Sequence, residues 1–428
     1  MFSCDFIKST VNMNSENLFN GGPVALNLST YKQLGYYQLL DPKGPHIYGY
    51  HLYRTILKIF LLIVQFITIF GVMGFFIEMG DTDTNPGKSN SFELIIILTN
   101  CSLSSLKMYT LISNSKIIWD LFDLTRTDFL RCSRHSKLIT ENFVKRCKKS
   151  TTITIWIARS FLVGLILWVM GPFISNEEYT EPNTVHRHKN IINIKFPVTV
   201  NTYNSYYFVF YLMEVAVGFC IVYGSVLIDA YLMSFCWIIS AQYQSVTKAF
   251  ATFGYNKQGS PKDIYKDFKS IIIDHQNVYL KMKSFYAVVR PITLIHVFAY
   301  SCSLIMYAYV IVTIFNSKES FIIAEIMKIV MTVSNVTIEV FIFCYLFELI
   351  DNKKEDVNFG LYSCNWTGMD IKFKQLLLMS MKMNNANRLK LKASPDVTIN
   401  RPFFANVIHT CFKIVSVLIQ TQSIDLLN

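Results

Sequence analysis

Seven long apolar runs separated by six polar gaps organise this chain. About 20 consecutive apolar residues are needed to cross a bilayer as a helix. The runs predict spans at about Tyr53–Glu78, Phe92–Ile112, Thr152–Phe173, Tyr206–Ile239, Pro291–Phe315, Phe321–Leu349 and Phe403–Leu426. Turn chemistry marks several breaks, with Asn85-Pro86-Gly87 after the first span and Gly171-Pro172 closing the third. The second helix is expected to continue to Leu124 and the fourth to Phe250, with a break over Ala251–Pro261. Lys262–Arg290 reads as a polar amphipathic helix leading into the fifth span. Asp120–Ser150 reads as a charged linker, and a short helix is expected near Thr30–Leu40. The fold class is an all-α integral membrane protein with seven transmembrane helices.

The last run has a polar stripe. With Val417 at zero and about 100° per residue, Asn406, Thr410, Lys413, Gln420 and Thr421 fall within about 60° of it. Phe404, Ile408, Cys411, Phe412, Val415 and Ile419 fall opposite. Lipid cannot satisfy such a stripe, so it must face water or protein. The pattern leaves open a helix–helix contact in a bundle or a pore-lining helix.

Charge orients the spans. The gaps after spans two, four and six carry eight or nine Lys plus Arg each, against one to three in the other gaps. The positive-inside rule then places the N-terminus in the cytoplasm and the C-terminus outside, opposite to G-protein-coupled receptors. The division is a cytoplasmic segment over 1–50, six spans over 51–349, a cytoplasmic segment over 350–400 and the last helix over 401–428. A mean hydropathy of +0.33 with 52% hydrophobic residues excludes an ordinary soluble protein. The net charge of +11 is gathered in alternate gaps, which argues against nucleic acid as its partner. Met1–Asn20 has no cleavable signal peptide pattern.

The ten cysteines do not form a disulfide framework. Cys101, Cys220, Cys236, Cys302, Cys344 and Cys411 lie within apolar runs, and Cys4, Cys132, Cys147 and Cys364 lie in segments assigned to the reducing cytoplasm. No CxxC pair occurs, and His186-x-His188 lacks further ligands at metal spacing, so neither metal nor cofactor is expected. No phosphate loop, GxSxG or HExxH appears, which argues against an enzyme. Internal repeats of the transporter kind are absent too. Sequons at Asn27 and Asn365 fall on the cytoplasmic side, and those at Asn100 and Asn335 lie inside spans, so no glycan is expected at any of them. Glu214, Asp229 and Glu339 are carboxylates in or near the membrane, where such groups are functional candidates. They could line a cavity or hydrogen-bond a neighbour structurally.

Tyr362, Ser363 and Trp366, then the basic amphipathic helix of Lys372–Arg388, then a break and a final helix to the C-terminus, resemble the insect odorant receptors. Asp274-His275 in a long helix and Asp229 in another extend the likeness upstream. The resemblance implies a subunit of a ligand-gated, non-selective cation channel in the plasma membrane of an olfactory neuron dendrite. It implies a heterotetramer with the obligate co-receptor (Orco), held by a cytoplasmic helical layer. The same helices could instead lie on anionic lipid. The loop between spans four and five is too short for the co-receptor itself. Gustatory-type receptors and a G-protein-coupled chemoreceptor are the alternatives.

In the family the odorant sits among spans two, three, four and six, and Gly164 and Trp168 resemble pocket positions there. They share a helical face, with Gly making room and Trp a wall. Phe161 and Leu165 join them on span three. Leu98, Ser102, Phe208, Tyr211, Leu212, Val215, Thr332 and Asn335 are added from the outer halves of the other spans. Such a lining suits neutral volatile molecules of ester or terpenoid type. By the same resemblance Val417, Gln420 and Thr421 belong to the gate of the final helix, with Asn406, Thr410 and Lys413 along the pore. Thr421 departs from the apolar gate of the co-receptor, and Lys413 is out of place in a cation path, where four such lysines would oppose flow.

Overall fold

A computed structural model describes residues 35–80, 88–132, 137–177, 187–188, 190–192, 194, 196, 198–255, 261–316, 323–386 and 389–425. Short helix α1 (Tyr36–Leu40) and a hairpin of β1 (His46–Ile47) and β2 (Tyr50–His51) lead into α2 (Leu52–Gly80). Then follow α3 (Lys88–Ser113), α4 (Ser115–Leu121), a 3-10 turn (Phe122–Thr125), α5 (Lys137–Glu177), α6 (Val200–Ser205) and α7 (Tyr207–Ala251). The chain continues through α8 (Pro261–Asn316), α9 (Ile323–Tyr362), α10 (Ile371–Ala386) and α11 (Arg401–Asp425). Seven of these, α2, α3, α5, α7, α8, α9 and α11, are long and apolar enough to cross a membrane.

α7 runs through the middle of the bundle. It packs along α9 and α5 most extensively, and also meets α2, α3 and α8. α2 and α5 turn apolar residues outward, among them Leu62, Phe66, Trp156 and Ile166. An exposed apolar face on a bundle this long suits lipid rather than water. α11 lies at the edge, and its main contacts among the described residues are with α8 and α9.

Two expectations are corrected. The second helix does not run unbroken to Leu124 but stops at Ser113. The Asn114 side chain there donates to the Thr110 carbonyl at 2.9 Å and competes with the helix ladder. The linker expected over Asp120–Ser150 is helical from Lys137. Ile139, Phe143 and Cys147, four residues apart, are buried on one face, while Lys145, Lys148 and Lys149 are exposed and Arg146 is half-buried. The short helix near Thr30–Leu40 is seen from Tyr36, and residues 30–34 lie outside the described residues.

At the basic end, α7, α8, α9 and α10 form a packed layer. Phe373 of α10 lies 4.6 Å from Phe268 and 6.0 Å from Phe253, ring to ring. α9 and α7 approach closely at Gly360, where an added Cβ would sit 2.6 Å from the Thr247 carbonyl oxygen. Asn365 ties the following turn to α7, its backbone N–H donating to Phe253 at 3.0 Å. Burial pushes the neighbouring Cys364 thiol up to about 11, which keeps it protonated and inert at neutral pH. The aromatic pair expected to anchor the layer is only partly inside it, because Tyr362 is exposed and Trp366 half-buried. At the start of α11, the Asn400 carboxamide caps the Phe403 N–H at 3.0 Å, and Arg401 holds Glu348 of α9 through its backbone and guanidinium.

Candidate functional site

An apolar cavity of about 120 Å³ lies inside the bundle, walled by α3, α5, α7, α8 and α9. Trp168 and Gly164 of α5 form one wall, and Ile97 and Asn100 of α3 face them. The Trp168 indole donates to the Thr332 hydroxyl of α9 at 3.2 Å. The Ser160 hydroxyl donates to the Asn335 carbonyl at 2.6 Å, so α5 and α9 are tied above and below Gly164. A Cβ at Gly164 would lie 3.5 Å from the Asn335 amide nitrogen, so glycine there leaves the cavity open to that group.

The loop before α6 adds Ile191 and Ile192 to the lining. Glu214 of α7 holds this loop. Its carboxylate accepts from Ile192 N–H at 2.6 Å and Ile194 N–H at 3.0 Å. Asn190 donates to the Tyr203 hydroxyl at 3.0 Å, and the Arg187 guanidinium lies 3.9 Å from the Tyr203 ring centroid. Glu214 is therefore a strap for this loop and not part of the lining.

Below the cavity lies a buried cluster of charge. Lys107 of α3 reaches Asp229 of α7 and Glu339 of α9, each at 3.4 Å. His296 of α8 lies 2.9 Å from the same Glu339 oxygen. All four are at most 1% exposed. Asp229, His296 and Glu339 could by distance ligate a metal ion, but the Lys107 ammonium already supplies the positive charge between the two carboxylates. The cluster cross-ties four helices at one level, since an unpaired charge there would cost far more than the ordering of these side chains. Tyr300 and Ser225 bound both regions. Both line the cavity, and the Tyr300 ring lies 5.5 Å from the Lys107 ammonium.

Of the expected pocket residues, Phe161, Gly164, Leu165, Trp168, Val215, Thr332 and Asn335 lie on the cavity wall. The other five do not. Leu98 is buried but turned toward Gly71 of α2. Ser102 is exposed on the outer side of α3. Phe208 and Leu212 point outward near the start of α7. Tyr211 is buried, and its hydroxyl donates to the Val169 carbonyl at 2.9 Å, tying α7 to α5. The helix rotation set these outcomes, because one position along a helix turns a side chain by about 100°. The contribution of α8 was not foreseen, though Tyr300 and Tyr307, seven residues apart, share one of its faces. Lys107 and His296 were missed as well. A lysine within an apolar run requires counter-charges in other runs, and Asp229 and Glu339 were in view.

On α11, Phe404 and Ile408 pack partly against the core, and Cys411 and Val415 are buried. Asn406, Thr410, Lys413, Val417 and Gln420 are exposed on the other side, while the Thr421 side chain lies outside the described residues. Phe412, expected on the packed side, is exposed, because the contact with α8 and α9 covers a narrower arc than the apolar residues span. His188 of the His186-x-His188 pair rests its ring 5.5 Å from Tyr207, and His186 lies outside the described residues.

Comparison with known proteins agrees with this architecture. The insect olfactory receptor OR5 from Machilis hrabei has a similar fold, with a TM-score of 0.69 and 13% identity over 92% of this chain and 98% of that one. The structure of the same receptor in complex with eugenol matches equally well at 12% identity. Odorant receptor 67a of Drosophila melanogaster is 22% identical over 206 residues, 47% of this chain and 49% of that protein. The chain thus matches about half the length of this curated relative. The family described as 7tm odorant receptor matches residues 91–412, which takes in the cavity, the charge cluster and the first half of the last helix. Those helices make it a multi-pass membrane protein of a family of receptors and not of enzymes, and the chain belongs to the 7tm odorant receptor family.

Proposed function

We propose that this chain is the odour-tuning subunit of a ligand-gated, non-selective cation channel. It binds a volatile hydrophobic odorant of ester or terpenoid type in the cavity between α3, α5, α7, α8 and α9. The observation that carries this reading is the concave, mainly apolar lining with a few placed polar groups, the ordinary form of a small-molecule site. The Asn335 amide supplies a donor for one polar atom of the ligand, while Trp168, its indole N–H engaged by Thr332, supplies an apolar wall. The remaining expected contacts, Leu98, Ser102, Phe208, Tyr211 and Leu212, act at most through the packing of the wall.

The pore belongs to α11. Its exposed side carries Asn406, Thr410, Lys413, Val417 and Gln420 in one stripe, which needs water or a neighbouring subunit. Thr421 continues that stripe by sequence. The partner is the co-receptor (Orco) in a heterotetramer, where few copies of Lys413 face the path. α10 offers a surface for that contact, since Leu378, Met379 and Met383 stand exposed beside the packed layer. The basic ends of the helices face the cytoplasm and the C-terminus lies outside, in the plasma membrane of the dendrite. An odorant with higher affinity for the open state shifts the gate toward it.

Whole-cell current tests the reading. Cells expressing this chain, the co-receptor, or both are exposed to volatile esters and terpenoids. Current is expected only with both chains, and Trp168→Ala should raise the half-maximal concentration by roughly tenfold or more, since it removes a wall and a hydrogen bond. Equal currents with and without this chain would reject the assignment.

A further inference from the structure

Ser160, Gly164 and Trp168 stand one turn apart on the face of α5 that meets α9. Ser160 and Trp168 each reach a polar side chain of α9, while Gly164 between them has none to offer. The Asn335 amide occupies that gap, its nitrogen 3.5 Å from where a Gly164 Cβ would stand. Asn335 lines the cavity and Ser160 does not. Helical serines often return their proton to the carbonyl one turn back, as Ser245, Ser301 and Ser303 do in this chain. Ser160 sends its proton across to the Asn335 carbonyl oxygen at 2.6 Å instead. A carbonyl oxygen only accepts, so this bond sets the sense of the amide. The oxygen is held against α5, and the NH2 group is turned toward Gly164 and the cavity. Among the described residues that NH2 group has no hydrogen-bond partner. Donors set in an apolar wall without an acceptor favour a ligand that brings one.

We propose that Ser160 is a positioning residue for odour selectivity. By pinning the Asn335 carbonyl it presents the Asn335 NH2 group to the cavity, which selects odorants carrying a carbonyl acceptor, such as esters and ketones, over hydrocarbons of the same shape. This rests on the cavity being the odorant site. Ser160 stands outside the lining and acts through Asn335. An alcohol is served less well by the pinned amide. Its oxygen accepts from the NH2 group, but its own proton finds no acceptor there, because the amide oxygen is already turned to Ser160.

The test uses cells expressing this chain with the co-receptor. It compares a terpenoid ketone with the hydrocarbon in which C=CH2 replaces its C=O. One net hydrogen bond predicts a ketone about fivefold more potent. Equal potencies in the unaltered protein would overturn the proposal without recourse to any variant. Asn335→Leu keeps the volume and removes the donors, so it should bring the ratio close to one. A ratio left intact would place the donor elsewhere and overturn the proposal as well. Ser160 is read by a second ratio, the ketone against the alcohol of the same skeleton. Ser160→Ala frees the amide to turn its oxygen to the alcohol proton, and this ratio should fall about threefold or more. Ser160→Thr keeps the hydroxyl and should keep the ratio. A Ser160 that only ties α5 to α9 would, when changed to Ala, lower all potencies together and leave the ratio unchanged, and the proposal would then fall. Gly164→Leu, which fills the cavity beside Asn335, separates failure of the subsite from failure of the site. If it silences both members of a ketone and hydrocarbon pair of equal potency, the Asn335 donor is wrong and the cavity stands. If it leaves both currents intact with surface expression confirmed, the cavity reading falls, and the role of Ser160 with it.

Discussion

Lys107 has no solvent to turn to, being 1% exposed with the carboxylates of Asp229 and Glu339 each 3.4 Å away. Its removal leaves Asp229 and Glu339 facing one another in a low-dielectric interior. Lys107→Met should therefore cost about 3–5 kcal/mol and abolish surface expression. The combination of Lys107→Met with Asp229→Asn and Glu339→Gln takes out the charges together and should restore part of it. Surface biotinylation checks both, and a triple variant no better than the single one would mean that the cluster is not held by charge balance. Glu214 shows the opposite use of a buried carboxylate. It serves two backbone N–H groups of the loop before α6 and has no role in the lining. The two kinds cannot be separated in the sequence, where each appears as one acid in an apolar run. The partners that distinguish them come from 20 residues away for Glu214 and 232 for Glu339.

Helices here are specified locally and positioned remotely. Apolar runs and their breaks locate the seven membrane-crossing stretches, because length and hydropathy are properties of the segment itself, but not the full helices, since α5 starts at Lys137, well before its apolar run. Where one helix crosses another is decided by a single close approach, as at Gly360 and Thr247. Gly360→Ala would force a Cβ to within 2.6 Å of a backbone oxygen, and α9 must move off α7. We expect a loss of about 1–3 kcal/mol from such overpacking, read as a lower thermal midpoint of the purified protein. Gly368→Ala, with nothing within 4 Å of the added atom, is the matched control and should be neutral. Equal midpoints for the two variants would remove this crossing as a determinant.

The whole molecule leaves two surfaces uncovered that a lone chain in a membrane does not explain. One is the polar stripe of α11, and the other is the Leu378, Met379 and Met383 face of α10. If α10 meets the co-receptor, charge on that face should block assembly without unfolding the chain, because these side chains are exposed. Met379→Glu with Met383→Glu is expected to reduce co-purification with the co-receptor by an order of magnitude or more, while the chain still reaches the membrane. Undiminished co-purification would place the contact elsewhere. Topology is tested separately: a tag after Asn428 should be stained in intact cells and a tag before Met1 only after permeabilisation. The reverse staining would invert the charge-based orientation.

Membrane character, the number of spans, the polar side of the last helix and the family resemblance could all be read in the residues alone. Each depends on residue type and spacing along one segment, and the helical repeat carries that information forward. Which residues share the cavity could be read only in part. Span three was legible because Gly164 and Trp168 lie one turn apart on a single face. Leu98, Ser102, Phe208 and Leu212 were not, because their facing depends on how far α3 and α7 are rotated about their own axes. The part played by α8, through Tyr300, and the joining of Lys107, Asp229, His296 and Glu339 were decided by the tertiary structure. Four side chains on four helices meet only when the helices pack, and the cost of an unpaired charge in the interior makes that meeting obligatory once they do.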